Sequence, residues 1–292
     1  MKKMILLAAM VVLGGIFTAC STEAAGGGFN DSREINVVSR EDGSGTRGAF
    51  IEVLGIEVSG ADGSVRDMTT DNAEIAPGTS AVITSVAGNA YAIGYISLGS
   101  LNDTVTAISV NGVTPTAANV QNGSYPLFRT FYLAVQEELD ELTQDFINFI
   151  LSAEGQDIVA DRNYVQANSS AAAFSGANGL SGTIVVSGST SVESLMLRMK
   201  EAYEAINPAV TVEVHAGGTS AGINAAISGL AQIGMSSREL RDSEIEQGVM
   251  PIAIAYDGLA VIVNNENPTS NMQSELIRQI FVGDITRWNA VE

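Results

Sequence analysis

An extended, β-branched run at residues 35–39 delivers Arg40 and Asp42 to a glycine turn, and Ser44, Gly45 and Thr46 then open a helical pattern over 47–54. This strand–glycine–hydroxyl–helix junction constrains the chain more than any other feature. It calls for an α/β arrangement in which a helix starts where a strand ends. The first backbone N–H groups of a helix have no partner within it and carry a positive partial charge. Two hydroxyls and a guanidinium beside such a start make a site for a small oxyanion.

The junction recurs in the C-terminal half. A strand ending near Ser187 runs through Ser189, Thr190 and Ser191 into a helical pattern over 192–206, with Leu195, Met196, Met199 and Tyr203 on its apolar side. Thr190 and Glu193 have capping-box spacing, which predicts the helix start there. Residues 212–220 repeat the design, with Thr219 and Ser220 ahead of a helix over 223–230, and the short strand at 233–236 ends in Ser236 and Ser237. A hydroxyl at one helix start ordinarily caps it. Recurrence of the junction favours a shared ligand site.

The rest of the chain alternates in the same way. Strands are expected at 35–39, 91–97, 128–135, 183–187, 210–215, 252–255 and 259–264, and helices at 138–160, interrupted near Gly155, and at 274–282. Residues 166–181 lack both periodicity and charge and read as a linker. With 292 residues, 46% apolar and only 16% charged, the chain can bury a sizeable core and form two domains.

Residues 1–19 stand outside that core. Lys2 and Lys3 precede the apolar run 4–17, and Thr18, Ala19 and Cys20 follow, the layout of a secretory signal ending at a lipidated cysteine. Residues 20–32, rich in glycine and alanine, read as a flexible tether. Removing 1–19 takes away two lysines and no acid, so the formal charge moves from −19 to −21. That balance argues against nucleic acid, whose binding rests on basic contacts to phosphates. It does not exclude a buried anion site, because surface charge is screened beyond roughly 8–10 Å at physiological salt. Cys20 and His215 are the only residues of their kinds. No metal and no cofactor are expected, and His215 reads as a turn or cleft-edge residue. Arg47 and Arg238 read as solvated or as pairing between lobes.

The segments 182–195, 217–238, 255–264 and 280–289 resemble the first half of the phosphate-binding proteins of bacterial phosphate ABC importers, and 37–50, 90–101 and 125–165 resemble the second half. The Arg40-x-Asp42-Gly43-Ser44-Gly45-Thr46 loop is the most specific part of the likeness. The order of halves is inverted relative to the family, as in a circular permutant or a piece cut out of phase from a tandem duplication. The resemblance implies a two-lobed type II periplasmic-binding-protein fold with ligand in the cleft between lobes. On this order one lobe would be continuous, 104–263, and the other would combine 33–103 with 264–292. The linker 166–181 would join the family's native termini, and the end of the chain would lie against residues 33–35.

The same resemblance implies that Arg40, Ser44, Gly45 and Thr46 hold inorganic phosphate from one lobe, with Asp42 orienting Arg40 or accepting a ligand proton. Ser189, Thr190, Ser191, Thr219, Ser220 and Ser237 would hold it from the other. Ser237 departs from family members that carry a proton-accepting aspartate there, which leaves Asp42 and Asp257 as acceptors. The implied protein is a monomeric extracytoplasmic receptor, not an enzyme, lipid-anchored to the bacterial cell membrane through Cys20 and serving an ABC permease.

Residues 43–48 also match a dinucleotide-binding glycine pattern. The acidic residue such a site needs about 20 positions on should end a second strand, whereas Asp62 and Asp67 fall in a Gly/Ser/Asp-rich loop. A serine hydrolase lacks support because the sole histidine has no evident partner. An oxyanion sensor or surface interaction module on the same fold is the remaining alternative.

Overall fold

The computed structural model describes residues 28–60, 65–176 and 179–291. The expected signal segment 1–19 and Cys20 lie outside them. The largest sheet has ten strands, running Val210–Ala216, Gly182–Gly188, Ile233–Ser236, Phe128–Gln136, Val249–Asn264, Ala92–Ser97, Asn36–Arg40 and Glu74–Ala76, with two short strands added along Val249–Asn264. Helices pack on its faces. This is the α/β architecture that the junctions call for, in the two-lobed form that the resemblance implies.

One strand joins the lobes. Val249–Asn264 pairs antiparallel with Phe128–Gln136 as far as Gly258↔Phe128, and then with Ala92–Ser97 from Leu259↔Ser97 onward. The sequence suggests two strands broken at 256–258, but the ladder runs through. Asp257 does not end it, because its carboxylate is buried and paired with Arg129 directly across the ladder. Gly258 is closely packed where the long strand passes between the lobes: a Cβ there would lie 3.1 Å from Val120 Cγ2 and 3.3 Å from Leu98 Cδ2.

Each lobe has its own core. One gathers Val37, Phe50, Tyr95, Ile108, Val110, Val120, Tyr125, Phe281 and Trp288, and the other Phe131, Phe146, Ile184, Met196, Tyr203, Val212 and Ile254. Each large apolar side chain so buried contributes roughly 1.5–3 kcal/mol. These cores move the lobe boundaries from the expected 104 and 263 to about 128 and 258. Residues 105–107 pair with the 262–264 end of the long strand, and Tyr125 and Leu127 pack beside Phe50 and Tyr95. The two crossings are therefore adjacent paired strands, a compact hinge.

The end of the described chain lies against its beginning. Ile35 N–H donates to Thr286 C=O at 2.8 Å, Trp288 N–H to Arg33 C=O at 3.2 Å and Asn289 N–H to Asp31 C=O at 2.7 Å. Glu292 lies outside the described residues. The expected tether 20–32 is anchored within its last residues, because the Phe29 ring packs on Tyr91 and Trp288 at 5.1 and 5.7 Å. The 166–176 part of the expected linker crosses the surface of the second lobe. It is pinned where Ala153 N–H donates to Ala172 C=O and where the Phe174 ring meets Phe149 at 5.3 Å.

The helix expected over 138–160 is two, Glu141–Leu151 and Ala153–Asp161, divided at Ser152. The Ser152 hydroxyl accepts from Gly155 N–H at 3.3 Å and so starts the second helix. Gly155 is tolerated inside that helix because its site is too tight for any Cβ, which would lie 2.3 Å from Phe149 O.

Candidate functional site

Arg40 is the last residue of its strand, and its side chain is 1% exposed. Its backbone is held by Tyr95, whose hydroxyl meets Ser39 Oγ at 2.9 Å and accepts from Arg40 N–H at 3.3 Å. The Tyr95 ring stacks on Phe50 from the following helix, centroids 3.8 Å apart and planes at 7°. Burial pushes the Tyr95 phenol up to about 12, so it stays a neutral donor. Strand end and helix start are thus locked together beneath the guanidinium.

The guanidinium is partly committed. Nε and Nη2 donate to the two Glu41 carboxylate oxygens at 2.7 Å each, and Nη2 also donates to Thr190 Oγ1 of the opposite lobe at 3.0 Å. Nη1 is buried with no hydrogen-bond partner in the protein. Leaving such a donor unmet costs about 1–3 kcal/mol, so it marks where an anionic oxygen fits.

Hydroxyls from both lobes surround this point. Thr46 Oγ1 and Ser191 Oγ are 2.8 Å apart across the cleft, and Thr79 Oγ1 is 3.3 Å from both Thr190 Oγ1 and Ser191 Oγ. Ser189 Oγ donates to Ser237 Oγ at 2.9 Å, and Thr219 Oγ1 lies 3.3 Å from Ser237 Oγ. Gly45 is packed so closely that a Cβ would stand 2.3 Å from Thr219 Oγ1 and 2.7 Å from Ser237 Oγ. At the rim, Ser220 N–H donates to Gly43 C=O at 3.1 Å. The lobes are closed. The helices Gly45–Val53, Thr79–Ala87, Glu193–Ile206 and Thr219–Ile227 all start at this point, and their positive ends add to the attraction for an anion.

Most of the expected residues converge, with different duties for some. Arg40, Gly45, Thr46, Ser189, Thr190, Ser191, Thr219 and Ser237 meet at the lobe contact. Thr190 is not a cap, since the helix starts at Glu193 without a side-chain cap and the Thr190 hydroxyl faces Arg40 instead. Ser44 caps its own helix, its Oγ accepting from Arg47 N–H at 3.3 Å. Ser220 lies at the rim with Ser44, Arg47 and Arg238 around a cleft of about 230 Å³.

Asp42 does not orient Arg40. It lies in the turn before Gly43 (φ 82°), fully exposed, and pairs with Arg47 at 3.2 Å. Glu41 takes that duty, because it can grip the guanidinium while its Oε2 also accepts Gly78 N–H at 3.1 Å. Asp257 has both carboxylate oxygens engaged, by Arg129 and by Ser97 Oγ at 2.9 Å, and does not serve as the ligand's proton acceptor. His215 is 63% exposed beside Glu213. Among the described residues no group of His, Cys, Asp and Glu could hold a metal ion.

Glu41 and Thr79 escape the sequence reading. Thr79 had a legible signal: Gly78-Thr79-Ser80-Ala81 repeats Gly218-Thr219-Ser220-Ala221, and both glycines sit at φ 95° ahead of a helix. Each lobe therefore carries a matching pair of helix starts.

Burial raises the Glu41 carboxyl, but the Arg40 hydrogen bonds and charge and the Gly78 N–H more than offset this and hold it below the ordinary range. A depressed carboxyl contributes stability above its unfolded pKa and loses it as pH falls through the folded one. Closure, and affinity for an anion whose own charge does not change over this range, such as sulfate, are accordingly expected to hold through neutral pH and to weaken only below the ordinary carboxylate range. Glu41→Gln should remove that acid limb. Affinity followed by titration calorimetry down the acid range checks this, and an acid limb unchanged in Glu41→Gln would count against it.

A family profile described as "PBP superfamily domain" matches residues 22–154 and 173–292. The chain is 42% identical over 291 residues to "Phosphate-binding protein PstS 2" of Streptococcus pneumoniae serotype 4, covering 100% of this chain and 99% of that one. It is 40% identical over 294 residues to the protein of the same name from Streptococcus agalactiae serotype V, covering 99% of each. A solved structure described as a phosphate ABC transporter, phosphate-binding protein from Streptococcus pneumoniae TIGR4 superposes with a TM-score of 0.71 at 43% identity, over 89% of this chain and 100% of that one. The chain belongs to the PBP superfamily, and within it to the phosphate-binding proteins represented by the streptococcal PstS 2 chains.

Proposed function

We propose that this chain is a receptor that closes around inorganic phosphate and presents it to an ABC permease, without catalysing a reaction. The observation that carries the reading is the buried, unpartnered Arg40 Nη1 set among hydroxyls and helix starts from both lobes. The names of the streptococcal relatives support it. Hydroxyls suit the ligand because each donates or accepts as the anion's protonation requires. With Ser237 in place of an aspartate, acceptance of the phosphate proton falls to these hydroxyls.

Titration calorimetry of the chain with phosphate, sulfate and arsenate tests this. Phosphate is expected to bind at about micromolar Kd or tighter, roughly −8 kcal/mol or beyond, and more tightly than sulfate. Equal affinity for sulfate would overturn phosphate selectivity and implicate Ser237. No heat with any oxyanion would favour a surface interaction module instead.

We further propose that the receptor works as a monomer, anchored outside the cytoplasmic membrane by lipid on Cys20. No helix among the described residues is long and apolar enough to cross a membrane. The parent is expected in the membrane fraction and Cys20→Ser in the soluble one. A parent released as readily as the variant would leave the cysteine beside an ordinary cleavage site.

The inverted order of halves is read as a circular permutation. Support comes from the backbone bonds that seat 286–289 on 31–35 and from residues 166–176, which lie against the second lobe. The pneumococcal relative aligns end to end in the same order.

A further inference from the structure

A second guanidinium sits at the hinge. Arg129 lies on the strand Phe128–Gln136, three residues beyond Tyr132, the partner of Ser236 at the end of the strand that leads to Ser237. It is directly opposite Asp257, the last pairs before the long strand passes into the other lobe and meets Ser97. Arg129 therefore occupies the floor of the cleft, where strands of both lobes end.

Its side chain is 3% exposed and that of Asp257 is fully buried. Arg129 Nε and Nη2 donate to Asp257 Oδ2 at 3.1 and 2.9 Å, and Ser97 Oγ donates to Asp257 Oδ1 at 2.9 Å. The planar fork that faces Asp257 leaves Nη1 on the other side, buried and without a partner. Arg40 presents the same pattern, a fork on a carboxylate and a buried, unmet Nη1. The Arg40 charge bears on Arg129, as does Tyr164, whose hydroxyl lies 3.5 Å from Ser191 C=O. Two buried guanidiniums that feel each other, each with one unmet donor, favour an anion shared between them.

We propose that Arg129 is a specificity-determining residue of the anion site, positioned by Asp257, whose unmet Nη1–H favours the doubly charged form of the ligand over the singly charged form. The proposal rests on the oxyanion reading of the cleft. The Asp257–Arg129 pair acts there as a fixed dipole with its positive end toward the ligand. A charge-assisted hydrogen bond of this kind is expected to change affinity by about tenfold or more.

The groups facing Arg129 are Asp257 from the long strand, Arg40 from the other lobe and Tyr164. Burial pushes Asp257 and Tyr164 up, so Asp257 needs its own control. The test is titration calorimetry of the full chain with inorganic phosphate at a pH where the monoanion dominates and at one where the dianion does. The parent is compared with Arg129→Gln, Arg129→Lys, Asp257→Asn and the double variant Arg129→Gln/Asp257→Asn, each with its melting temperature. In Arg129→Gln the dianion-over-monoanion affinity ratio is expected to fall about tenfold, with Arg129→Lys restoring most of it and Asp257→Asn retaining it. Should Arg129→Gln fail to fold with Asp257 unpaired, the double variant decides by the same ratio. Lower melting with an unmoved ratio would make Arg129 a purely structural residue and overturn the proposal. So would a ratio lost in Asp257→Asn but kept in Arg129→Gln. A parent that binds no phosphate at either pH would bring down the receptor reading itself, and this one with it.

Discussion

Arg40→Ala is expected to weaken phosphate binding by about three hundredfold, the largest effect of any single change in the cleft. The guanidinium is buried, so the truncation removes charge-assisted donors from a desolvated site, which typically costs about 2–5 kcal/mol. It also leaves Glu41 half-buried without its cation, and a carboxylate facing the cleft would repel the ligand. Arg40→Lys should fall between parent and alanine, since it keeps a charge but loses the fork on Glu41. His215→Ala, a change at an exposed side chain, should bind as the parent does. Calorimetry on all three, with melting curves to confirm folding, checks the ranking. Parent-like affinity in a folded Arg40→Ala protein would remove the central residue of the proposed site.

Gly45→Ala should impair binding nearly as much, by a different route. Adding a methyl at a helix start is ordinarily neutral or slightly stabilising, about 0.4–1 kcal/mol from the unfolded chain. Here the new Cβ would stand 2.3 Å from Thr219 Oγ1 and 3.0 Å from Thr219 Cβ, both on the opposite lobe. Neither atom can yield, because Thr219 is buried with its hydroxyl 3.3 Å from Ser237 Oγ and accepting from Ser237 N–H at 3.2 Å. The methyl would prop the cleft open without disturbing either core. Affinity is expected to drop by about a hundredfold, the equivalent of about 2.7 kcal/mol, while the ligand-free melting temperature stays level or rises slightly. Small-angle scattering should record compaction on adding phosphate for the parent and none for the variant. A variant that binds and compacts normally would show that closure does not need the Gly45 contact.

The candidate site was largely legible where a residue's duty follows from its own neighbours in sequence. A strand, a glycine, hydroxyls and a helix predict an oxyanion cradle around Arg40, Gly45 and Thr46 without further information, and the recurrences around Thr190 and Thr219 predict its other half. The fold class followed from the same alternation. Thr79 was overlooked although its Gly-Thr-Ser-Ala motif repeats that of Thr219, because no charged residue or obvious strand flagged it. Capping-box spacing misled at Thr190, whose hydroxyl has a stronger partner in Arg40 than its own helix could offer.

What sequence determined by itself was the local chemistry: which segments are strands and helices, and which of their junctions present donors to an anion. Tertiary structure alone decided the partners. Glu41 rather than Asp42 holds Arg40, because the turn before Gly43 sends one carboxylate into solvent while the other meets Gly78 N–H from a helix start 37 residues away. The lobe boundary at 128 and 258, and the pairing of Arg129 with Asp257 across it, likewise depend on contacts between residues 128 positions apart. Local periodicity carries no record of such separations. They are set by which buried charges must find a partner once the two cores have formed.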